Sequence, residues 1–331
     1  MHLNRLILSA LAAAVLAGCG STPVAPSTHP AITPVTPTQA VPPVIPPALS
    51  DSTPTNIPPP APVQRKVKIG LALGGGAARG FAHIGVIKAL EANGIVPDIV
   101  VGTSAGSVVG ALYAAGNNAA SLQKMANDMD EAAISDWALP LFGKTSGVLK
   151  GEALQTYVNK AVQYRPIEKL KLPFGAVASD LKTGQPILFQ RGNTGMAVRA
   201  SSAVPGVFQP VTIGNHTYVD GGLVAPVPVR FAKEMGAEFI IAVNISTQTE
   251  AQAAISSLEV IMQTFSIMGQ RINQYELRDA DIVIQPPLGN MGSSDFASRA
   301  RAMQAGEKAT LALMAQLKQK LKARRESPAV Q

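Results

Sequence analysis

Lys66-Val67-Lys68-Ile69-Gly70-Leu71-Ala72-Leu73 runs directly into Gly74-Gly75-Gly76-Ala77-Ala78-Arg79-Gly80, and Phe81 to Asn93 follows. The first run is short and largely apolar, the pattern of a strand. The glycine cluster interrupts it. Phe81 to Asn93 reads as a helix stopped by Asn93-Gly94, a pair that ends helices because glycine adopts the left-handed turn without strain. The order then repeats. Ile95 to Val101 is a second apolar run, Gly102-Thr103-Ser104-Ala105-Gly106 a tight turn, and Ser107 to Ala115 a helix halted by Gly116. Strand, turn, helix, twice over, predicts an α/β fold with a mostly parallel central sheet and helices on its faces.

Further along, the spacing predicts helices over 119–131, 151–162, 194–203, 256–272 and 298–323. Strands are expected at 174–179, 186–190, 211–213, 216–219, 239–244 and 281–285. No internal repeat is evident.

The chain before this core has a different character. Ser21 to Gln64 holds 14 of the 26 prolines, no aromatic residue and one formal charge, Asp51. Proline fixes φ and donates no hydrogen bond, so such a run builds no packed core. It reads as a disordered linker over 19–64, with an extended reach on the order of 130 Å. Residues 1–18 read as a signal peptide: Arg5 supplies charge, and Leu6 to Ala17 is an apolar run too short to span a bilayer comfortably. It ends in Leu16-Ala17-Gly18-Cys19, and Cys19 is the sole cysteine. No disulfide within one chain is therefore possible. The folded domain is expected over 65–325, with a flexible tail at 326–331.

Net charge is +7, with the excess concentrated in Arg299, Arg301, Lys308, Lys318, Lys320, Lys322, Arg324 and Arg325. Such a helix either lies against anionic headgroups or is an ordinary solvated face. No nucleic-acid motif accompanies it, and no His/Asp/Glu cluster points to a metal.

Gly102-Thr103-Ser104-Ala105-Gly106 is a G-x-S-x-G sequence between a strand and a helix. A sharp turn there lifts the serine hydroxyl clear of the sheet, and bulky neighbours two residues either side would collide. A glycine-rich structural turn is the plainer alternative. Gly74 to Gly80 offers backbone N–H groups to a tetrahedral oxyanion, with Arg79 pinning the turn or holding charge. Nucleotide readings fail in register. No Gly-Lys pair closes a Walker loop, and G-x-G-x-x-G meets Arg79 from Gly74 and Ala77 from Gly75. A serine nucleophile needs a proton acceptor. After the signal segment the candidates are His29 in the linker, His83, His216, and Asp220 in Asp220-Gly221-Gly222. A carboxylate acts as base when partly desolvated, but an Asp-Gly pair is also a common turn.

These three elements occur in the order and spacing of the patatin-like phospholipase family. Phe81-Ala82-His83-Ile84-Gly85-Val86, Ala178-Ser179-Asp180-Leu181-Lys182-Thr183-Gly184 and Ala200-Ser201-Ser202-Ala203-Val204-Pro205 resemble its bacterial members. The likeness covers 69–233 and weakens toward 286. It implies a three-layer α/β/α hydrolase fold and a Ser–Asp dyad without catalytic histidine or cofactor. Ser104 is then the nucleophile and Asp220 its base. The amides of Gly75, Gly76 and Ala77 form the oxyanion hole, supported by Gly74, Gly80, Gly102, Gly106, Gly221 and Gly222. The family usually has glycine where Ala77 stands, so a positive φ there would cost on the order of 1 kcal/mol.

The implied activity is hydrolysis of phospholipid or other acyl-ester lipids. The same fold admits an acyltransferase or a non-catalytic lipid-binding envelope protein. Apolar stretches at Trp137–Phe142, Val260–Met262 and Ile267–Met268 are candidates for an acyl channel, or for core. Leu16 to Cys19 resembles a bacterial lipobox, which implies a lipidated Cys19. Gly20 in the next position then favours the outer membrane, with the domain facing the periplasm.

Overall fold

The computed structural model describes residues 65–129, 149–246 and 256–327. The signal segment, Cys19, the linker and Trp137–Phe142 lie outside them. Strand β1 (Ile69–Leu73) is followed by a 3-10 turn (Ala77–Gly80) and helix α1 (Phe81–Ala92). Strand β2 (Ile99–Thr103) leads through Ser104 into α2 (Ala105–Ala114). Helices α3 (Ala119–Asn127) and α4 (Glu152–Ala161) precede the hairpin β3 (Phe174–Asp180) and β4 (Pro186–Phe189). Next come α5 (Thr194–Ser201), a second hairpin β5 (Val211–Ile213) and β6 (His216–Asp220), and α6 (Val229–Glu234). The chain closes with β7 (Phe239–Val243), α7 (Ser257–Glu276), β8 (Ile282–Ile284) and α8 (Arg299–Glu326).

The eight strands form one sheet in the order β5-β6-β3-β2-β1-β7-β8, with β4 also on β3. The run β3-β2-β1-β7-β8 is parallel throughout, as expected. Side chains alternate across a strand, and the core divides accordingly. Leu71, Leu73, Val100, Phe174, Phe239, Ile241 and Val243 pack under α1, α2, α3 and α8. Ala72, Ile99, Val101, Val177, Ile240 and Ala242 pack on the other face, against Val229, Phe231 and Ala232 of α6. That makes the three layers.

β2 begins four residues later than expected. Pro97 has no N–H for a ladder, and Asp98 is occupied at the start of β1: its Oδ2 accepts the Ile69 N–H at 2.9 Å. α3 stops at Asn127, and α7 runs one turn past Ile272. α6 escapes sequence pattern because six residues behind Pro226 and Pro228 are too few to show a helical period. α8 continues through Glu326, the first residue of the expected tail, while 328–331 lie outside the described residues. Its buried stripe seats it on α1, where a Cβ on Gly85 would come 1.8 Å from the Met303 carbonyl. Several of its basic groups are paired within the protein, Arg324 with Asp281 at 2.7 Å among them. Among the described residues no helix is long and apolar enough to cross a membrane.

Candidate active site

The register of β3 explains how two residues 116 positions apart meet. β4 pairs with β3 along Ala176–Ser179. β2 pairs with β3 up to Thr103 opposite Val177, and β6 pairs with β3 from Asp220 opposite Ala178. Since β4 overlaps β2 at Ala176 and Val177 and overlaps β6 at Ala178 and Ser179, β2 and β6 must share the other edge. They run in opposite directions, and their C-terminal ends abut one residue apart. Ser104 follows the last residue of β2, and Asp220 is the last residue of β6.

Ser104 sits in the turn with φ 52° and ψ −123°, a backbone shape that L-residues adopt only when their surroundings enforce it. The enforcement is specific. The Ser104 N–H donates to Ser201 Oγ at 2.9 Å, and Ser201 Oγ donates to the Val177 carbonyl at 2.6 Å. The Ser107 hydroxyl donates to the Ser104 carbonyl at 2.7 Å, and Thr103 Oγ1 to the Ala225 carbonyl at 2.7 Å. A Cβ on Gly102 would lie 2.3 Å from the Gly106 carbonyl, and one on Gly106 would lie 2.1 Å from the Leu73 carbonyl. Both glycines are thus required by close backbone approach.

Asp220 is 2% exposed. Its Oδ1 accepts the Gly222 N–H at 2.7 Å, its N–H donates to the Ala203 carbonyl, and its own carbonyl accepts from Ser179 Oγ. Burial pushes the carboxyl up to about 6, against lowering by the Gly222 amide and then by the Ser104 hydroxyl. The Ser104 contact is loose: Oδ2 is buried and has no partner at full hydrogen-bond geometry among the described residues. Such bonds often tighten only with substrate bound.

The glycine turn shows one departure from expectation. The Gly75 amide, assigned above to the oxyanion hole, donates to the Pro226 carbonyl at 2.9 Å. Gly74 donates to Val243 and Ala78 to Ser293. The amides of Gly76 and Ala77 have no acceptor among the described residues. Arg79 Nε donates to the Gly76 carbonyl at 3.2 Å, which pins the turn, and burial lowers the guanidinium pKa. Ala77 does adopt a positive φ, 50°, and is exposed.

Neither folded-domain histidine reaches the pair. His83 is fully buried, its Nε2 is 2.8 Å from the Gly74 carbonyl, and desolvation lowers its pKa to about 4. It is neutral and braces the glycine turn. His216 lies on the β5–β6 hairpin, with Nδ1 2.8 Å from Asp180. Pattern reading assigned no role to Ser201, Ser107 or Thr103. The quoted Ala200–Pro205 run contains Ser201, but a hydroxyl's partner is set by tertiary contact.

Residues 71–233 match the family model described as patatin-like phospholipase. The chain carries a patatin-like phospholipase domain. It is 36% identical over 204 residues to an uncharacterized NTE family protein of Mycobacterium tuberculosis, covering 56% of this chain and 53% of that one. It is 32% identical over 229 residues to patatin-like phospholipase domain-containing protein 6 of Homo sapiens, covering 68% of this chain and 16% of that one. The chain thus spans about half the length, or less, of these relatives. The crystal structure of VipD from Legionella pneumophila superposes with a TM-score of 0.50 at 15% identity, covering 76% of this chain and 67% of that one. At that identity the likeness concerns the fold.

Two clefts of the patatin-like domain meet at Ser104 and share Ala77, Val204, Met262 and Ser293. The first, about 1000 Å³ with its open mouth, is walled mostly by apolar side chains of α1 to α4, such as Phe81, Ile84, Val108, Leu112, Met125 and Leu154. The second, about 740 Å³ with its mouth, is lined by Arg79, Asp220, Ser246, Gln270 and Asn273 among others. Of the α7 residues named above as acyl-channel candidates, Met262 lines both clefts. Val260, Ile261, Ile267 and Met268 instead point outward, each about half exposed, because α7 turns its other face to the clefts.

Proposed function

We propose that the protein is a serine lipid acyl hydrolase, of the phospholipase A or lysophospholipase type, working through Ser104 and Asp220. The observation that carries this reading is the abutment of β2 and β6 on one edge of β3. It sets a strained serine hydroxyl beside a buried carboxylate, next to two amides that have no acceptor among the described residues.

The chemistry follows from these positions. Ser104 Oγ attacks the ester carbonyl carbon, and its proton passes to Asp220. The carbonyl oxygen takes up the negative charge and accepts from the Gly76 and Ala77 amides. Each such donor is worth about 3 kcal/mol of transition-state stabilisation. The tetrahedral intermediate collapses with cleavage of the bond to the alcohol oxygen. That oxygen leaves with the proton from Asp220, and the acyl group stays on Ser104. Asp220 then takes a proton from water, the hydroxide attacks the acyl carbon, and the fatty acid leaves as the proton returns to Ser104. With a pKa of about 6, Asp220 is mostly ionised at neutral pH yet more basic than a solvated carboxylate. The apolar cleft suits an acyl chain, since burying each methylene there gains about 0.8 kcal/mol.

Fluorophosphonate labelling and fatty-acid release from lysophospholipid test this together. Wild type should label and turn over, Ser104→Ala should do neither, and Asp220→Asn should lose turnover. Equal damage by His83→Ala and Asp220→Asn would sink the two-residue mechanism.

We further propose that Cys19 carries lipid and tethers the domain to the outer membrane, facing the periplasm. The lipobox-like run and the proline-rich spacer support this. Tethering raises the enzyme's effective concentration at a bilayer. Incorporation of radiolabelled palmitate into wild type but not Cys19→Ala checks it.

A further inference from the structure

Among the described residues, five buried side-chain polar atoms lack a hydrogen-bond partner, and three of them belong to residues that line the two clefts: Ser202 Oγ, Asp220 Oδ2 and Asn273 Nδ2. Asp220 belongs to the proposed chemistry and Ser202 to the apolar cleft. Asn273 belongs to neither. It lies on α7, beyond the 71–233 stretch of the family match.

α7 presents Met262, Phe265, Gly269 and Asn273 to the second cleft at intervals of three and four residues, which places them on one helix face. Asn273 is 3% exposed. Its Oδ1 accepts the Val227 N–H at 3.2 Å. That bond leaves Nδ2 with two N–H donors and no acceptor among the described residues. A buried donor without an acceptor is destabilising and rare in native structures. Here it belongs to a side chain that lines the same cleft as Ser104 and Asp220.

The two clefts differ in chemistry, and an ester has two halves. The apolar cleft takes the acyl half. The second cleft, whose lining carries more polar groups, meets it at Ser104 and leads past Asp220, the group that in the proposed chemistry returns a proton to the departing alcohol.

We propose that the second cleft is the leaving-group subsite, and that Asn273 Nδ2 donates there to an oxygen of an oxygen-rich alcohol, glycerol or phosphoglycerol. This rests on the hydrolase reading and adds to it a group that selects the alcohol. An ester whose alcohol lacks a second oxygen leaves that donor unanswered and reacts more slowly for its chain length.

The test compares kcat/KM for three esters of one fatty acid: a lysophospholipid, a monoacylglycerol and a 2-naphthyl ester, whose alcohol carries no further oxygen. Asn273→Asp keeps the acceptor for Val227 and removes the donor; Asn273→Ala removes both without adding charge. In both variants the ratio of lysophospholipid or monoacylglycerol to naphthyl ester should fall at least tenfold. A fall confined to the lysophospholipid assigns the acceptor to phosphate, and a fall in both assigns it to glycerol. Gln274→Ala, on the outer face of α7, should leave the ratios unchanged. Ratios that stay constant in both Asn273 variants, whatever the absolute rates, overturn the proposal. A wild-type protein that neither takes the fluorophosphonate label nor cleaves the naphthyl ester overturns the hydrolase reading itself, and the subsite falls with it.

Discussion

Ser104 and Ala77 border the same site and share a positive φ, 52° and 50°, yet they hold it for different reasons. Ser104 is clamped from all sides: Ser201 holds its N–H, Ser107 its carbonyl, and Gly102 and Gly106 let the strand and helix close around it. Ala77 is exposed, and its side chain contributes nothing that hydrogen could not. In the proposed mechanism one residue is strained because its hydroxyl is needed there. The other is strained because its own amide and that of Gly76 are needed, and its methyl group is incidental. Strain is informative about function only together with what enforces it.

The sharpest way to break this comparison is Ser104→Gly. It should relieve a similar backbone strain and still reduce ester hydrolysis at least about 10³-fold, since the nucleophile is gone. Retained turnover would show that Ser104 resembles Ala77 after all.

The next effect comes from pH. Asp220 must be ionised to accept a proton, so kcat/KM should rise about tenfold per unit up to about pH 6 and then level off. Stability runs the other way. The folded pKa is raised above its ordinary 3.8, so the folded state binds this proton more tightly. The associated stability is present below the unfolded value and lost as pH rises through about 6. Asp220→Asn should therefore be more stable than wild type at pH 8, by at most about 3 kcal/mol. The gap should close toward pH 4, as read by urea unfolding.

Ser201→Ala sharpens the contrast from the side of enforcement. It leaves the Ser104 N–H buried without its acceptor, at a cost of about 1–3 kcal/mol. A loosened elbow should lower kcat about tenfold with little change in KM; an unchanged kcat would remove Ser201 from the clamp. The smallest effect is expected from Ala77→Gly, a gain of about 1 kcal/mol in thermal or urea unfolding with hydrolysis retained.

The parallel core was readable because its signals are local. β1 and β2 are compact apolar runs, and the glycine clusters after them mark turns whatever surrounds them. Ser104 was readable for the same reason, since strand, turn and helix are contiguous. Asp220 was not readable from its own neighbourhood, where Asp-Gly-Gly describes any turn. Its selection came from family resemblance, and its position comes from β3, which no pattern near Asp220 encodes. The Gly75 amide was misassigned because its acceptor, Pro226, arrives from a loop 151 positions away. Asn273 lies on a helix whose apolar residues face both ways, so periodicity alone does not say which side meets the clefts.

β3 is in effect a gauge block. Thr103, which precedes Ser104, and Asp220 are indexed to neighbouring rungs of one strand, Val177 and Ala178, so their offset along it is set by a rise of roughly 3.3 Å per residue. Twisting of the outer strands leaves that offset alone, and sliding β3 carries both partners together. Insertions in the loops between positions 104 and 220 change the length of the detour without changing the spacing at its ends. The architecture thus separates the spacing of Ser104 and Asp220 from the length of chain that connects them.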